Sequence, residues 1–127
     1  MSVIWNPSLT PQECAWRDKA AELTSRAFAP AAAEIDRDQR YPVEHLAPLR
    51  ESGISGLFIP AEYGGAGASL TSLVAVVETV AQGCASTAAI LAALSLGAFP
   101  IILGARPSRK WCCWAGWRAT VMRSTLR

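Results

Sequence analysis

The chain has 127 residues, of which 51% are hydrophobic and 17% are charged. This length suits one globular domain that can bury a core without disulfides or metal, and the composition excludes fibrous and disordered classes. The four cysteines lack the spacing of a zinc site, so reduced thiols are expected. The net charge of +2 is unevenly distributed, because residues 1–105 carry −4 and residues 106–127 carry +6.

The first predicted element is a long helix that begins after Thr10. Thr10 can cap this helix, Pro11 suits its first turn, and Glu13 completes a capping box. Apolar residues then recur every three or four positions as far as Ile35, which predicts one buried face. Pro30 is expected to kink the helix.

A second, shorter helix is predicted to open at Pro42 and Glu44 and to stop at Gly53. The following segment, residues 54–60, is apolar but too short for another helix between Gly53 and Pro60. We expect them to form an extended, packed connection.

Two features resemble a binding or catalytic site, and both have simpler structural interpretations. The glycines at 64, 65 and 67 lack the spacing of a phosphate or dinucleotide loop and predict a tight turn. His45 is the single histidine and is expected on an exposed helix surface, because no nucleophile or orienting partner can be named for it. We therefore predict no catalytic residue and no metal site.

A third helix is predicted to be capped by Ser69 and to end at Gly83. Its periodicity predicts one buried stripe, made of Leu70, Leu73, Val74, Val77, Val80 and Ala81.

A fourth helix is predicted to begin at Ser86 or Thr87, and Gly97 and Pro100 are expected to break it before a short helical piece at residues 101–103. No alternating strand pattern of useful length appears anywhere in the sequence. The predicted fold class is therefore all-α.

Residues 83–105 form an uncharged run of 23 positions, followed directly by basic residues. A membrane span needs about 20 apolar residues, so this run is long enough to be one. Its richness in Ala, Ser, Thr and Gly, together with Gly97 and Pro100, favours instead a central helix of a larger helical domain. A small membrane-associated or interaction protein that uses this run and the basic tail remains the alternative.

Several motifs together resemble the N-terminal helical domain of acyl-CoA dehydrogenases, with features of short-chain members. Residues 28–36, the stretch from Pro42 to Leu57, residues 84–88 and residues 97–104 follow the family's pattern in order. Residues 59–67 match the family's P-x-E-Y-G-G-x-G stretch closely. The resemblance covers about residues 10–105, so residues 1–105 are taken as one incomplete domain.

The resemblance implies a flavoprotein that oxidises the Cα–Cβ bond of an acyl-CoA thioester, with FAD accepting the hydride and a glutamate taking the proton. The family's flavin motif, T-E-P-x-x-G-S-D, and its catalytic glutamate belong to later domains and are absent from this sequence. We therefore expect a fragment that binds no cofactor and has little or no activity alone. Homo-oligomers are expected only for the intact enzyme, and no nucleic-acid partner is expected.

By position, the resemblance assigns part of the acyl-chain pocket to Ala88, Ala92 and Leu96 on the fourth helix. Small side chains at 88 and 92 would leave this pocket deep. The N-terminus lacks a basic region followed by an apolar stretch, so no signal peptide is predicted and a cytoplasmic location is expected.

Residues 106–127 depart from the family, which continues there with a G-x-x-E-Q-K pattern. Suppose that the third base of each codon began a new codon. The codons of Trp111 to Ala115 would then have to encode Val, Leu, Leu and Gly in the shifted frame. For the other residues of the tail, codons can be chosen so that the shifted frame also fits the family's pattern. Our hypothesis is a frameshift near Gly104, which would make the basic charge and the tryptophans of this tail products of the wrong frame.

Overall fold

The computed structural model of the chain describes the backbone of residues 8–121 and the side chains of residues 8–116. Residues 1–7, on which the prediction of no signal peptide rests, and residues 122–127 of the tail lie outside the described residues. Six α-helices and no strand occupy the described part, so the predicted all-α class is confirmed. The helices are α1 (Pro11–Leu23), α2 (Ala29–Arg37), α3 (Val43–Glu51), α4 (Leu70–Gly83), α5 (Ala85–Gly104) and α6 (Pro107–Val121).

The predicted capping box at the start of α1 is confirmed. The backbone N–H of Glu13 donates to the Thr10 hydroxyl oxygen at 3.3 Å, and the Thr10 N–H donates to the Glu13 carboxylate at 2.9 Å. The hydroxyl of Ser69, at the start of α4, also donates to Glu13, at 2.7 Å. One carboxylate therefore joins the N-termini of two helices.

A five-residue π-helical turn, Thr24–Phe28, connects α1 to α2 where a kink at Pro30 was expected. Proline has no N–H with which to continue the hydrogen-bond ladder of an α-helix. The helix widens into a π-turn just before Pro30, where the Ala29 N–H donates to the carbonyl of Thr24, five residues back. The distortion therefore precedes the proline, and the buried Phe28 points from it into the core.

The prediction of an extended connection over residues 54–60 is wrong. Gly53 adopts a left-handed conformation with φ 78°, which turns the chain directly into a 3₁₀ turn at Ile54–Gly56. A second 3₁₀ turn follows at Ala61–Tyr63. The backbone folds back on itself here, as the N–H of Ala68 donates to the carbonyl of Leu57 at 2.9 Å.

The predicted tight turn at the glycines is confirmed. Gly64 and Gly67 have φ values of 88° and 61°, which other residues rarely adopt. At Gly65 the requirement is for space, since a Cβ would lie 2.1 Å from the carbonyl oxygen of Ile59.

Helix α4 begins and ends as predicted, at a Ser69 cap and at Gly83, but its predicted buried stripe is partly wrong. Leu70, Val74 and Ala81 are exposed, whereas the buried residues are Ser72, Leu73, Ala75, Val76 and Val80. Apolar residues cover most of the circumference of this helix, so periodicity alone does not set the buried face. Contacts with α1 on one side and α5 on the other set it.

Helix α5 runs without a break for 20 residues, so the expected interruption at Gly97 and Pro100 is wrong. An interior proline removes one helical hydrogen bond, but the turns around it keep theirs, as the N–H of Ala105 donates to the carbonyl of Ile101. Both Gly97 and Pro100 are exposed, so the helix accommodates them without displacing a neighbouring element.

The described part of the tail forms α6, which packs on the rest of the chain. Trp114 is 3% exposed and clusters with Ile59, Tyr63 and Ala98. The Lys110 ammonium donates to the carbonyl of Ile102 near the C-terminus of α5, at 2.7 Å. Most of the core lies elsewhere, between α1, the π-helical turn, α4 and the first half of α5.

Candidate functional site

An apolar groove of about 390 Å³ lies on the surface between α4 and α5. Six of its lining side chains are apolar, three from each helix: Leu73, Val74, Val77, Ala92, Leu96 and Phe99. The Phe99 ring lies 4.3 Å from that of Phe58, which supports one end of the groove from outside the helix pair. The groove exists because both helices present apolar side chains at a point where no other described element covers them.

The two polar side chains of the groove offer little for binding a charged group. The hydroxyl of Ser95 donates to the carbonyl of Leu91 in its own helix, at 3.1 Å. Glu78 is the one charged lining residue. A surface of this kind favours a hydrocarbon chain over a phosphate or a carboxylate.

The structure brings two of the three predicted pocket residues into this groove. Ala92 is half-buried in its wall, and Leu96 lies along its open edge, with 69% of its surface exposed. Ala88, one turn earlier in α5, is buried in the main core. The assignment of all three residues to an acyl-chain pocket stays a prediction.

Sequence reasoning missed the wall of the groove that α4 provides. Leu73, Val74 and Val77 had all been assigned to one buried stripe, although Val74 is exposed. The available signal was that α4 is apolar on more of its circumference than a single partner helix can cover.

The expectation that His45 lies on the surface is wrong. It is 1% exposed, and its Nδ1 lies 2.6 Å from the hydroxyl oxygen of Thr87 in the first turn of α5. Its ring also packs on Phe28, with centroids 4.8 Å apart. Burial lowers the pKa of His45, with Glu44 opposing this effect and Arg40 adding to it. The turn of α3 that carries His45 therefore faces the core. The sequence suggested that it faced solvent, because the helix is short and Glu44 is charged.

Among the described residues, no three His, Cys, Asp or Glu side chains come together as a metal site would need. The four cysteines are free thiols. The groove provides an apolar surface, and its lining has no histidine, cysteine or lysine; the carboxylate of Glu78 is its one ionisable group.

Within the described part of the chain, one helix, Ala85–Gly104, is long and apolar enough to cross a membrane. Core helices of soluble proteins share these two properties. Only 22% of this stretch is buried inside the chain, so α5 is less enclosed than a central helix was expected to be.

Comparison with known proteins identifies the architecture. The family model for the N-terminal domain of acyl-CoA dehydrogenases matches residues 10–110. A chain from a solved structure described as the electron transferring flavoprotein of Acidaminococcus fermentans superposes with a TM-score of 0.79 and 28% identity. The match covers 87% of this chain and 30% of that one.

Curated relatives agree with this match. The 3-sulfinopropanoyl-CoA desulfinase of Advenella mimigardefordensis is 35% identical, over 74% of this chain and 23% of the relative. The cyclohex-1-ene-1-carbonyl-CoA dehydrogenase of Syntrophus aciditrophicus is 34% identical, over 80% and 25%. A probable acyl-CoA dehydrogenase of Mycobacterium bovis is 40% identical, over 68% and 22%.

The chain thus spans about a quarter of the length of these relatives. The family match extends from the capping box of α1 to the first turn of α6. This all-α chain belongs to the acyl-CoA dehydrogenase family, and residues 10–110 are its N-terminal domain.

Proposed function

We propose that this chain is the helical part of a flavin-dependent enzyme that acts on acyl-CoA thioesters, that it supplies one wall of the acyl-chain pocket, and that it is inactive alone. The observation that carries the proposal is the apolar groove between α4 and α5, with Ala92 and Leu96 on its walls. A small side chain at 92 leaves room for a hydrocarbon chain to lie against the helix.

Two relatives support a CoA thioester as substrate, since the 3-sulfinopropanoyl-CoA desulfinase and the cyclohex-1-ene-1-carbonyl-CoA dehydrogenase are each named after one. They differ in reaction, because some are dehydrogenases and others desulfinases. The groove touches only the apolar part of such a substrate. We propose Cα–Cβ oxidation as the reaction, because it is the one that the resemblance to acyl-CoA dehydrogenases implies.

FAD is the cofactor that the family implies, but the groove does not fit it. A dinucleotide carries two phosphates and needs hydrogen-bond donors or positive charge, whereas the groove offers a carboxylate and a hydroxyl that is bonded within its own helix. We propose that the flavin is held by the intact family protein and not by this chain. Homo-oligomers, too, are proposed only for the intact enzyme, and the free thiols support a cytoplasmic location.

The inactivity of the chain alone can be tested on the purified protein. We expect no bound flavin by absorbance and no oxidation of butanoyl-CoA in the presence of an electron acceptor. Stoichiometric flavin together with turnover would contradict the proposal.

The acyl wall can be tested separately with a photoreactive fatty acyl-CoA probe. We expect cross-links to map to α4 and α5, and the substitution Ala92→Trp to reduce them by filling the groove. The matched control is Ala89→Trp, on an exposed position of the same helix outside the groove lining, which should leave the labelling unchanged. Equal labelling of both variants would argue against the groove as the acyl site.

We also propose that residues 106–127 are the next family helix read in a shifted frame. The departure of these residues from the family's pattern supports this proposal, whereas the described part of the tail still packs on the domain, with Trp114 against Tyr63. Sequencing the gene through and beyond these codons tests the proposal. The other frame should encode Glu-Gln-Lys and a continuation toward Thr-Glu-Pro, and a different reading would refute it.

A further inference from the structure

His45 is a buried titratable group that the proposed acyl site does not use. It lies on α3, and its partner Thr87 lies in the first turn of α5, 42 residues later in the chain. Between these two elements its ring is enclosed, with the aromatic ring of Phe28 on one side. This hydrogen bond is a polar link between α3 and the first turn of α5.

The hydrogen bonds around Thr87 determine which form of His45 fits. The Thr87 hydroxyl donates its single hydrogen to the sulfur of Cys84, at 3.2 Å. With that hydrogen directed to the sulfur, the Thr87 oxygen can accept a hydrogen bond, and the form of His45 that fits it at 2.6 Å carries a hydrogen on Nδ1. We assign this form to the neutral ring, which leaves a bare lone pair on Nε2.

The opposite nitrogen has no hydrogen-bond partner. Nε2 of His45 is fully buried and contacts no donor or acceptor among the described residues. A buried acceptor without a partner is tolerated better than a buried N–H or a buried cation without one. Protonation of the ring would place a charged N–H at this position.

Few charges near the ring could compensate that proton. Glu44 and Arg40 lie on the side of α3, and they form a salt bridge of 2.7 Å with each other. From the start of α5 the neighbouring groups are the Thr87 hydroxyl and the Cys84 thiol, and from the π-helical turn the neighbour is the uncharged Phe28. The acidic neighbour is thus already paired with an arginine.

We propose that His45 is an acid-sensitive latch, which holds α3 against the first turn of α5 as a neutral ring and releases it when Nε2 is protonated. The latch acts at the end of α5 opposite to the acyl groove, and it is independent of the proposed enzymatic function.

The direction of the pH effect follows from burial. Burial lowers the pKa of His45 below its ordinary value of about 6.5, so the unfolded chain binds the proton more tightly than the folded chain does. The stability that the neutral ring contributes is complete above about pH 6.5 and declines as the pH falls below that value. Each unit by which the folded pKa is lowered raises the unfolding equilibrium constant in acid about tenfold.

The test uses the full chain and takes advantage of its single histidine, whose imidazole resonances need no assignment. Nitrogen-15 NMR across about pH 5 to 7.5 should show the hydrogen on Nδ1 and a midpoint below that of a free histidine peptide. A resonance that titrates at or above the ordinary value, or one with its hydrogen on Nε2, would overturn the proposal.

Two variants separate the latch from general acid sensitivity. His45→Gln keeps a neutral donor but cannot titrate, so its denaturant midpoint should be the same at about pH 5 and pH 7.5, while that of the parent chain falls. Thr87→Val removes the bond but leaves the ring buried, so it should be less stable at both pH values and keep the pH dependence. Equal pH dependence in His45→Gln and the parent would refute the latch, and if the variant does not fold, the NMR titration of the parent decides.

Discussion

Neither half of α5, residues 85–94 or residues 95–104, contains a charged residue, but the two halves have different surroundings. In the first half, Thr87 and Leu91 are almost completely buried, and a hydrogen bond from α3 anchors the helix. In the second half, Leu96 and Leu103 are 69% and 79% exposed. Composition indicates that a helix is apolar, but the elements packed around it decide which half is enclosed.

This difference separates stability from function along one helix. The first half belongs to the core shared with α1 and α4. The groove wall begins at Ala92 and continues through the second half, which also contacts α6 through Ala98 and Trp114. Substitutions of the buried side chains as far as Leu91 should therefore affect folding, and those of the groove lining from Ala92 onward should affect binding.

The largest expected effect is the loss of core packing in the first half. Leu91→Ala removes a side chain that is 1% exposed and should lower the free energy of unfolding by about 2–5 kcal/mol. Leu103→Ala, on the exposed second half, should change it by less than about 0.5 kcal/mol. Denaturant titration of both variants measures the contrast, and equal losses would show that the two halves do not differ in packing.

A pair of glycines provides the second contrast. A Cβ at Gly83 would lie 2.2 Å from the Thr24 methyl group and 3.3 Å from the Ala29 side chain, and both neighbours are in the helical run of α1 and α2. Gly83→Ala should therefore destabilise the chain by about 1–3 kcal/mol. Gly97 has open space around it, so Gly97→Ala should stabilise α5 by up to about 1 kcal/mol. Thermal unfolding that moves in the same direction for both would contradict the close approach at Gly83.

A cap provides a smaller effect. Ser69 accepts a hydrogen bond from the Ser72 N–H at 3.1 Å, so Ser69→Ala should lower stability by about 1 kcal/mol. Ser86 lies in the first turn of α5, where the N-cap residue Cys84 makes no side-chain capping bond, and Ser86→Ala serves as the control. We expect the control to change the denaturant midpoint little, and a loss as large as that of Ser69→Ala would argue against the cap.

The smallest expected effect comes from the carboxylate that joins α1 to α4. Hydrogen bonds from the Thr10 N–H, the Ser69 hydroxyl and the Thr10 hydroxyl lower the pKa of Glu13. Its contribution is present above the ordinary carboxyl pKa and is lost as the pH falls through the lowered one. Acid titration of Glu13→Gln should show a shallower loss of stability than the parent. The idea fails if the acid profiles of the variant and the parent coincide.

Local rules predicted the features that depend on neighbours in sequence. The cap at Thr10 with Glu13, the cap at Ser69 and the turn at Gly64 all follow from hydrogen bonds or backbone angles within a few residues. The same rules identified the helices from α1 to α5 and the fold class, but they did not predict α6, which lies in the tail. They also placed Ala92 and Leu96 on the right helix, once the family resemblance had indicated what that helix does.

The failures involve contacts between residues far apart in the sequence. Burial of His45 depends on Thr87 and Phe28, and the exposed face of α4 depends on where α1 and α5 lie. No pattern within one helix carries this information for α4 and α5, since both are apolar on more than one side. Pro100 is a different case: its residue type suggested a helix break, but it is exposed and the turns around it keep their hydrogen bonds.

Hydrogen exchange along α5 tests the central claim most directly, since it reports both halves of one helix in a single experiment. We expect the amides of residues 88–91 to exchange slowly, at the rate of global unfolding, and those of residues 101–103 to exchange much faster through local opening. Equal protection along the whole helix would contradict the division of α5 into a core half and a half that provides the groove wall.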